Sequence, residues 1–85
     1  MQVRFTPHAL AECERRSIEI AVVQGIVELP EQIVPNIEGR MVYQSKIVFS
    51  GKIYLVRVVV EVTDQEIVVI TAYRTSKIDK YWDEA

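Results

Sequence analysis

An α+β fold is predicted, with two N-terminal helices packed on a four-stranded antiparallel β-meander and a short helix at the C-terminus. Three observations predict it. Valine and isoleucine supply 24 of the 85 residues, and such stiff β-branched side chains favour a pleated sheet. Turn signals at residues 36–39, 50–51 and 64–65 cut the second half into four runs, about 32–36, 40–49, 52–63 and 66–73, whose short connections imply antiparallel neighbours. The first half instead carries apolar residues at helical spacing behind a Thr-Pro start. A chain of 85 residues makes a single domain whose buried fraction is modest, so a partner or a second copy is expected to contribute to stability.

In chain order, Val3 to Phe5 reads as a short edge strand. Thr6 then offers a hydroxyl at the N-cap and Pro7 a preset first helical residue, so the first helix runs from Pro7 to about Arg16. On it His8, Glu12 and Arg16 share one face at i, i+4 and i+8, an order that favours an ion pair between the last two, while Leu10 and Cys13 mark the packing side. Ile18 is expected in the turn. A second helix spans residues 20–29, with Ile20, Val23, Ile26 and Val27 at helical spacing, and Pro30 stops it. Gly25 weakens this helix and allows close packing.

Alternation in the third strand places Tyr54, Val56, Val58, Val60 and Val62 toward the helices and Ile53, Leu55, Arg57, Val59 and Glu61 on the opposite face. In the last strand the same rule puts Val68, Ile70 and Ala72 on one side and Ile67, Val69, Thr71 and Tyr73 on the other. Ser76 stands where it can cap a terminal helix over residues 77–82, with Ile78, Tyr81 and Trp82 on one face.

Composition excludes some functions. The single Cys13 cannot form an internal disulfide, and with one histidine the chain lacks the ligands of a Cys/His zinc site, so neither a metal nor a cofactor is expected. No charged-then-apolar leader and no long apolar run appears, which predicts a cytoplasmic setting without a membrane. Net charge is −2, too weak and of the wrong sign to attract nucleic acid from a distance, but it divides as −2, +2 and −2 over residues 1–35, 36–82 and 83–85. The sheet and terminal helix form the basic part.

The candidate site lies where the last strand loses its apolar character, at Thr71, Tyr73, Arg74, Ser76 and Lys77. Arg57 belongs with it, because a guanidinium in an otherwise apolar strand centre must be paired or solvated. It serves either an anion or an exposed sheet face over which its stem is laid. His8 is the one side chain whose ordinary pKa, about 6.5, suits proton transfer near neutrality, and the plainer reading makes it a surface or capping residue. Tyr73, Tyr81 and Trp82 are equally readable as packing aromatics.

With TPHALAECERRSI near its start and ITAYRTSKIDKYW near its end, the chain resembles the prokaryotic family called domain of unknown function 4258 over nearly its whole length. The residues that match the family pattern are Thr6, His8, Ala9, Arg16, Ile18, Thr71, Tyr73 and Lys77. Glu12 departs from it, standing where the first helix arginine belongs, and Ser17 stands where a glycine is usual. That family is grouped with the RelE, ParE and BrnT type toxins, so the resemblance implies a RelE-like or barnase-like arrangement, an RNA substrate and an antitoxin partner. It implies metal-free cleavage, in which a ribose 2′-hydroxyl attacks the adjacent phosphorus to give a cyclic phosphate. For that reaction His8 is assigned to proton transfer, Arg16 and Arg57 to the phosphate, Tyr73 to stacking or proton donation, and Thr71, Arg74, Ser76 and Lys77 to substrate binding. A second reading is a non-catalytic interaction module that homodimerises or binds a partner protein, favoured by Glu12, whose carboxylate repels phosphate. A third makes Glu12 the general base and His8 the acid. If the helices cover one sheet face, His8 meets Arg57 only at the sheet's rim.

Overall fold

A computed structural model describes residues 1–84 of the chain. The fold is α+β, with a five-stranded sheet and three helices in the order β1 (Gln2–Phe5), α1 (Pro7–Arg15), α2 (Ile20–Glu28), β2 (Gln32–Pro35), a 3-10 turn (Ile37–Gly39), β3 (Met41–Phe49), β4 (Lys52–Val62), β5 (Glu66–Thr75) and α3 (Ile78–Tyr81). The spatial order is β1-β5-β4-β3-β2. The expected four-strand meander is present as β2 to β5, but the sheet has a fifth strand. β1 precedes both helices and pairs in parallel with β5, Val3 beside Ile67 and Phe5 beside Val69.

Local chemistry sets most boundaries. Thr6 Oγ1 accepts from the Ala9 N–H at 3.0 Å and Pro7 follows it, the predicted start of α1. The helix ends in a Schellman motif: Ser17 N–H donates to the Glu14 carbonyl and Ile18 N–H to the Cys13 carbonyl, with Ser17 at φ 56°. That left-handed position favours glycine, so a serine there carries some strain. The β3–β4 connection is a two-residue turn, Ser50 at φ 51° and Gly51 at φ 78°, whose twist matches that of the strands it joins. At the β4–β5 hairpin Thr63 Oγ1 accepts from the Gln65 and Glu66 N–H groups.

Helices α1 and α2 cover one face of the sheet. Ala9, Cys13, Ile18, Val23, Ile26 and Val27 close there on Val56, Val58, Val60, Val69 and Ala72. The predicted helix-facing set of β4 therefore holds at its centre, while Tyr54 and Val62 lie toward the two ends, Val62 being exposed. Leu10 is a correction, at 46 % exposure. α1 lies along the outer edge of β5, so only its narrow Ala9 and Cys13 stripe meets the sheet. Thr6 N–H donates to the Val69 carbonyl, the Thr6 hydroxyl to that of Ile70 and Arg16 Nη1 to that of Ala72. These bonds satisfy carbonyls that β1 is too short to reach. Gly25 is a second correction, since nothing lies within 4 Å of where its side chain would be.

Strand β5 does not alternate regularly. Val59 pairs with Thr71 but Val60 with Val69, which leaves Ile70 as the extra residue of a bulge. Val69 and Ile67 consequently pack with the helices and Val68 turns to the back face. The expected assignment holds for Thr71, Ala72 and Tyr73 and is reversed for Ile67, Val68 and Val69. One inserted residue inverts every side chain on one side of it.

Candidate site at the back of the sheet

The back face buries its own small core. Val42, Leu55, Val59 and Val68 are buried there, outside the helix-side cluster, together with the fully buried Gln44. Arg57 lies at its centre, opposite Gln44 on β3 and Tyr73 on β5. Its Nε donates to Gln44 Oε1 at 2.8 Å and its Nη1 to Tyr73 Oη at 2.6 Å. Gln44 Nε2 donates onward to Gln32 Oε1 at 2.8 Å and to the Tyr81 carbonyl at 3.2 Å. Gln32 in turn exchanges two hydrogen bonds with the Asp83 backbone, at 2.7 and 3.0 Å. The residues after β5 thus fold back over this face, and the Tyr81 ring lies 4.3 Å from the Arg57 guanidinium carbon.

Among the described residues, the partners of Arg57 are neutral. The four ion pairs among the described residues join Arg4 to Glu66, Arg15 and Arg16 to Glu12, and Arg40 to Glu61. The remaining six of the ten basic side chains, Lys46, Lys52, Arg57, Arg74, Lys77 and Lys80, are in none of these pairs. Five of those six lie over aromatic rings: Lys46 over Trp82, Lys52 over Tyr54, Arg57 over Tyr81, Arg74 over Phe49 and Tyr54, and Lys80 over Tyr81. They form two groups: Lys52 and Arg74 at the Phe49–Tyr54 pair near the β3–β4 turn, and Lys46, Arg57 and Lys80 with Trp82 and Tyr81 on the back face, Arg57 midway along β4. A ring face attracts a cation without neutralising it, so the charge stays available to an anion.

The predicted site residues fall into three groups. Arg57, Tyr73 and Thr71 share the back face, with Arg57 and Tyr73 in direct contact and Thr71 half-buried beside Val59. Arg74, one residue on, points to the helix side, its guanidinium 4.5 Å from the Phe49 ring centre. Ser76 and Lys77 are exposed in the connection to α3. Ser76 does not cap that helix: Thr75 Oγ1 accepts from the Lys77 N–H instead, and the helix is a single turn that starts at Ile78.

His8 and Arg16 stand apart on α1. His8 is exposed, and among the described residues no hydrogen bond or ion pair joins it to Arg57 or Tyr73. Arg16 reaches the Ala72 carbonyl at the sheet rim, next in sequence to Tyr73, while its Nη2 pairs with Glu12 at 2.9 Å. The rim is therefore reached by Arg16, not by His8. Glu12 is held down to about 2, first by the hydrogen bonds from Arg15 and then by the charges of Arg15, Arg16 and His8. A carboxyl so acidic is a poor general base near neutrality. Burial pushes the Cys13 thiol up, away from reactivity.

Gln32, Gln44 and Tyr81 were not among the sequence-predicted site residues. Gln44 was legible in principle: a two-residue turn at Ser50 and Gly51 pairs Phe49 with Lys52 and thereby sets Gln44 directly opposite Arg57. Tyr81 carried no such signal, because its position depends on how the chain folds back after its last strand. Two surface grooves, of about 270 and 330 Å³, flank α2, and neither is lined by Arg57, Tyr73, Gln44 or Tyr81. Comparison with protein-family models, with curated proteins and with solved structures finds no match to this chain.

Proposed function

We propose that this protein is a toxin-like, metal-independent endoribonuclease that holds single-stranded RNA on the cationic and aromatic residues of its sheet, with Arg57 and Tyr73 at the reacting phosphate. The observation that carries the reading is the division of its basic residues. Four are neutralised by carboxylates, and five of the six in no such pair lie over aromatic rings, Arg57 among them on the back face of the sheet. Alternating cations and ring faces suit a flexible strand, whose phosphates need charge and whose splayed bases need stacking partners.

The contact between Arg57 and Tyr73 supports a role for each. Since Arg57 donates to Tyr73 Oη, the phenol's own proton is left to be donated elsewhere. In cleavage the 2′-oxygen bonds to phosphorus and its proton passes to water. The bond to the 5′-oxygen breaks as Tyr73 protonates it, and Arg57 stabilises the charge that builds on the phosphoryl oxygens. A cation and an acid without a built-in base make a slow enzyme in isolation. An antitoxin would silence it by covering the same face.

The test is incubation of single-stranded RNA with the protein in EDTA, beside Arg57→Ala, Tyr73→Phe and His8→Ala. Cyclic-phosphate ends are expected from the parent and from His8→Ala, and not from the other two. Cleavage untouched by Arg57→Ala overturns this centre. The separation of His8 from Arg57 favours a second reading, a non-catalytic module that uses the same surface for a partner protein or a second copy. Intact RNA together with a stable dimer would establish it.

A further inference from the structure

We infer that residues 76–83 form a strap in which Tyr81 occupies the place of a nucleobase on Arg57, so that a nucleotide ligand binds by displacing the chain's own C-terminal segment. This rests on the reading of Arg57 as an RNA-phosphate site.

The strap is built to be held by others. Helix α3 is one turn of four residues with no side-chain cap and no buried residue, too short to be stable alone. What fastens it are side chains of the sheet: Gln32 on the Asp83 backbone, Gln44 on the Tyr81 carbonyl, and Lys46 Nζ 4.0 Å over the Trp82 ring. β5 ends at Thr75, so the strap adds no strand to the sheet, which stays complete if it lifts.

What lies beneath it is suited to another occupant. Arg57 uses Nε and Nη1 for its two hydrogen bonds, and its Nη2 makes none among the described residues. No buried side-chain nitrogen or oxygen among them lacks a partner, so Nη2 keeps some contact with solvent. The guanidinium thus keeps one nitrogen for an anion while its carbon lies 4.3 Å from the centre of the Tyr81 ring. A base in the place of that ring together with a phosphate on Nη2 is the pairing that a single nucleotide supplies. The ring and the base cannot occupy that place together. Gln44 serves as the positioning residue, since its Oε1 holds Arg57 Nε while its Nε2 holds the strap.

Trp82 is the only tryptophan of the chain and lies in the strap, so its fluorescence and its quenching by acrylamide report the strap directly. The probe is a single-stranded 2′-deoxy octanucleotide, which has no 2′-hydroxyl and cannot be cleaved by the proposed chemistry. With the full chain, oligonucleotide binding is expected to raise Trp82 quenching. Gln32→Ala raises it without ligand and tightens binding by about three- to tenfold, the worth of an ordinary net hydrogen bond or slightly more. Tyr81→Ala tightens binding in the same sense, and Arg57→Met abolishes it while circular dichroism stays that of the parent. Tyr81→Ala and Gln32→Ala variants that bind no more tightly than the parent overturn the strap and leave the RNA reading standing. Trp82 quenching raised by Gln32→Ala, with no binding by any variant, overturns the nucleotide assignment and that reading together.

Discussion

The two faces of the sheet use similar residues for different ends. On the helix side Val56, Val58, Val60, Val69 and Ala72 meet α1 and α2 in a cluster without a charge; Arg16 is paired with Glu12 at the rim, and Arg74 lies outside the cluster over the Phe49 and Tyr54 rings. On the back, Val42, Leu55, Val59 and Val68 surround Arg57, whose partners are a glutamine, a phenol and an aromatic ring. The lesson concerns what a charge is for. A guanidinium matched to a carboxylate is spent within the fold, whereas one held by neutral groups stays oriented and still attracts an anion.

The largest test of this contrast asks whether the back face is a core at all. Leu55 is fully buried on it, and Ile53, two residues earlier on the same face, is 53 % exposed. Leu55→Ala should cost about 2–4 kcal/mol in urea unfolding, as a large-to-small core change does. Ile53→Ala should cost under about 1 kcal/mol, in line with an exposed site. Equal losses would mean that the back face is only a surface.

A smaller effect is expected at the network. Arg57→Met leaves Gln44 Oε1 without its donor and should destabilise the protein by about 1–2 kcal/mol. Adding Gln44→Leu removes the orphaned acceptor and should restore part of that loss, because an apolar replacement of both partners is often near neutral. A double variant no better than the sum of its single changes would show that the two residues are not coupled.

Next in size is Ser17, which ends α1 on the helix side in a left-handed conformation. Ser17→Gly should stabilise by about 0.5–1 kcal/mol in thermal unfolding and leave RNA binding unchanged. Lost binding would show that the α1 terminus belongs to the site.

The smallest effect distinguishes the faces by pH. Glu12 ionises at about 2 in the folded chain and at 4.5 without its partners. A depressed carboxyl stabilises the fold above its unfolded value, and that contribution fades as pH falls from about 4.5 toward 2. Unfolding followed across this window should show a shallower acid slope in Glu12→Gln. The exposure of its main partner, Arg15, to solvent keeps the difference small. An unchanged slope would place the acid sensitivity elsewhere.

Much of this was legible from local rules. The Thr6 and Pro7 start, the stop at Pro30, the two-residue turn at Ser50 and Gly51, and the alternation of β4 each depend on a few adjacent residues, and each was found where those residues put it. They did not suffice to set Arg57 and Tyr73 on one face, because the Val62–Ile67 register of the hairpin, continued without a bulge, would set Arg57 opposite Ala72. Contacts between distant segments decided the rest. Bulging at Ile70, whose carbonyl takes the Thr6 hydroxyl, reversed the faces of residues 67–69 and brought Tyr73 opposite Arg57. Packing of α1 along the β5 edge sent Arg16 to the rim and left His8 outside, apart from the residues it was expected to join. Folding back of the C-terminal segment placed Tyr81 over Arg57. The physical reason is one of range: caps, turns and alternation are settled by steric and hydrogen-bonding preferences within a few residues, whereas register, edge pairing and the burial of a charge depend on free energies shared between segments that the chain brings together only on folding.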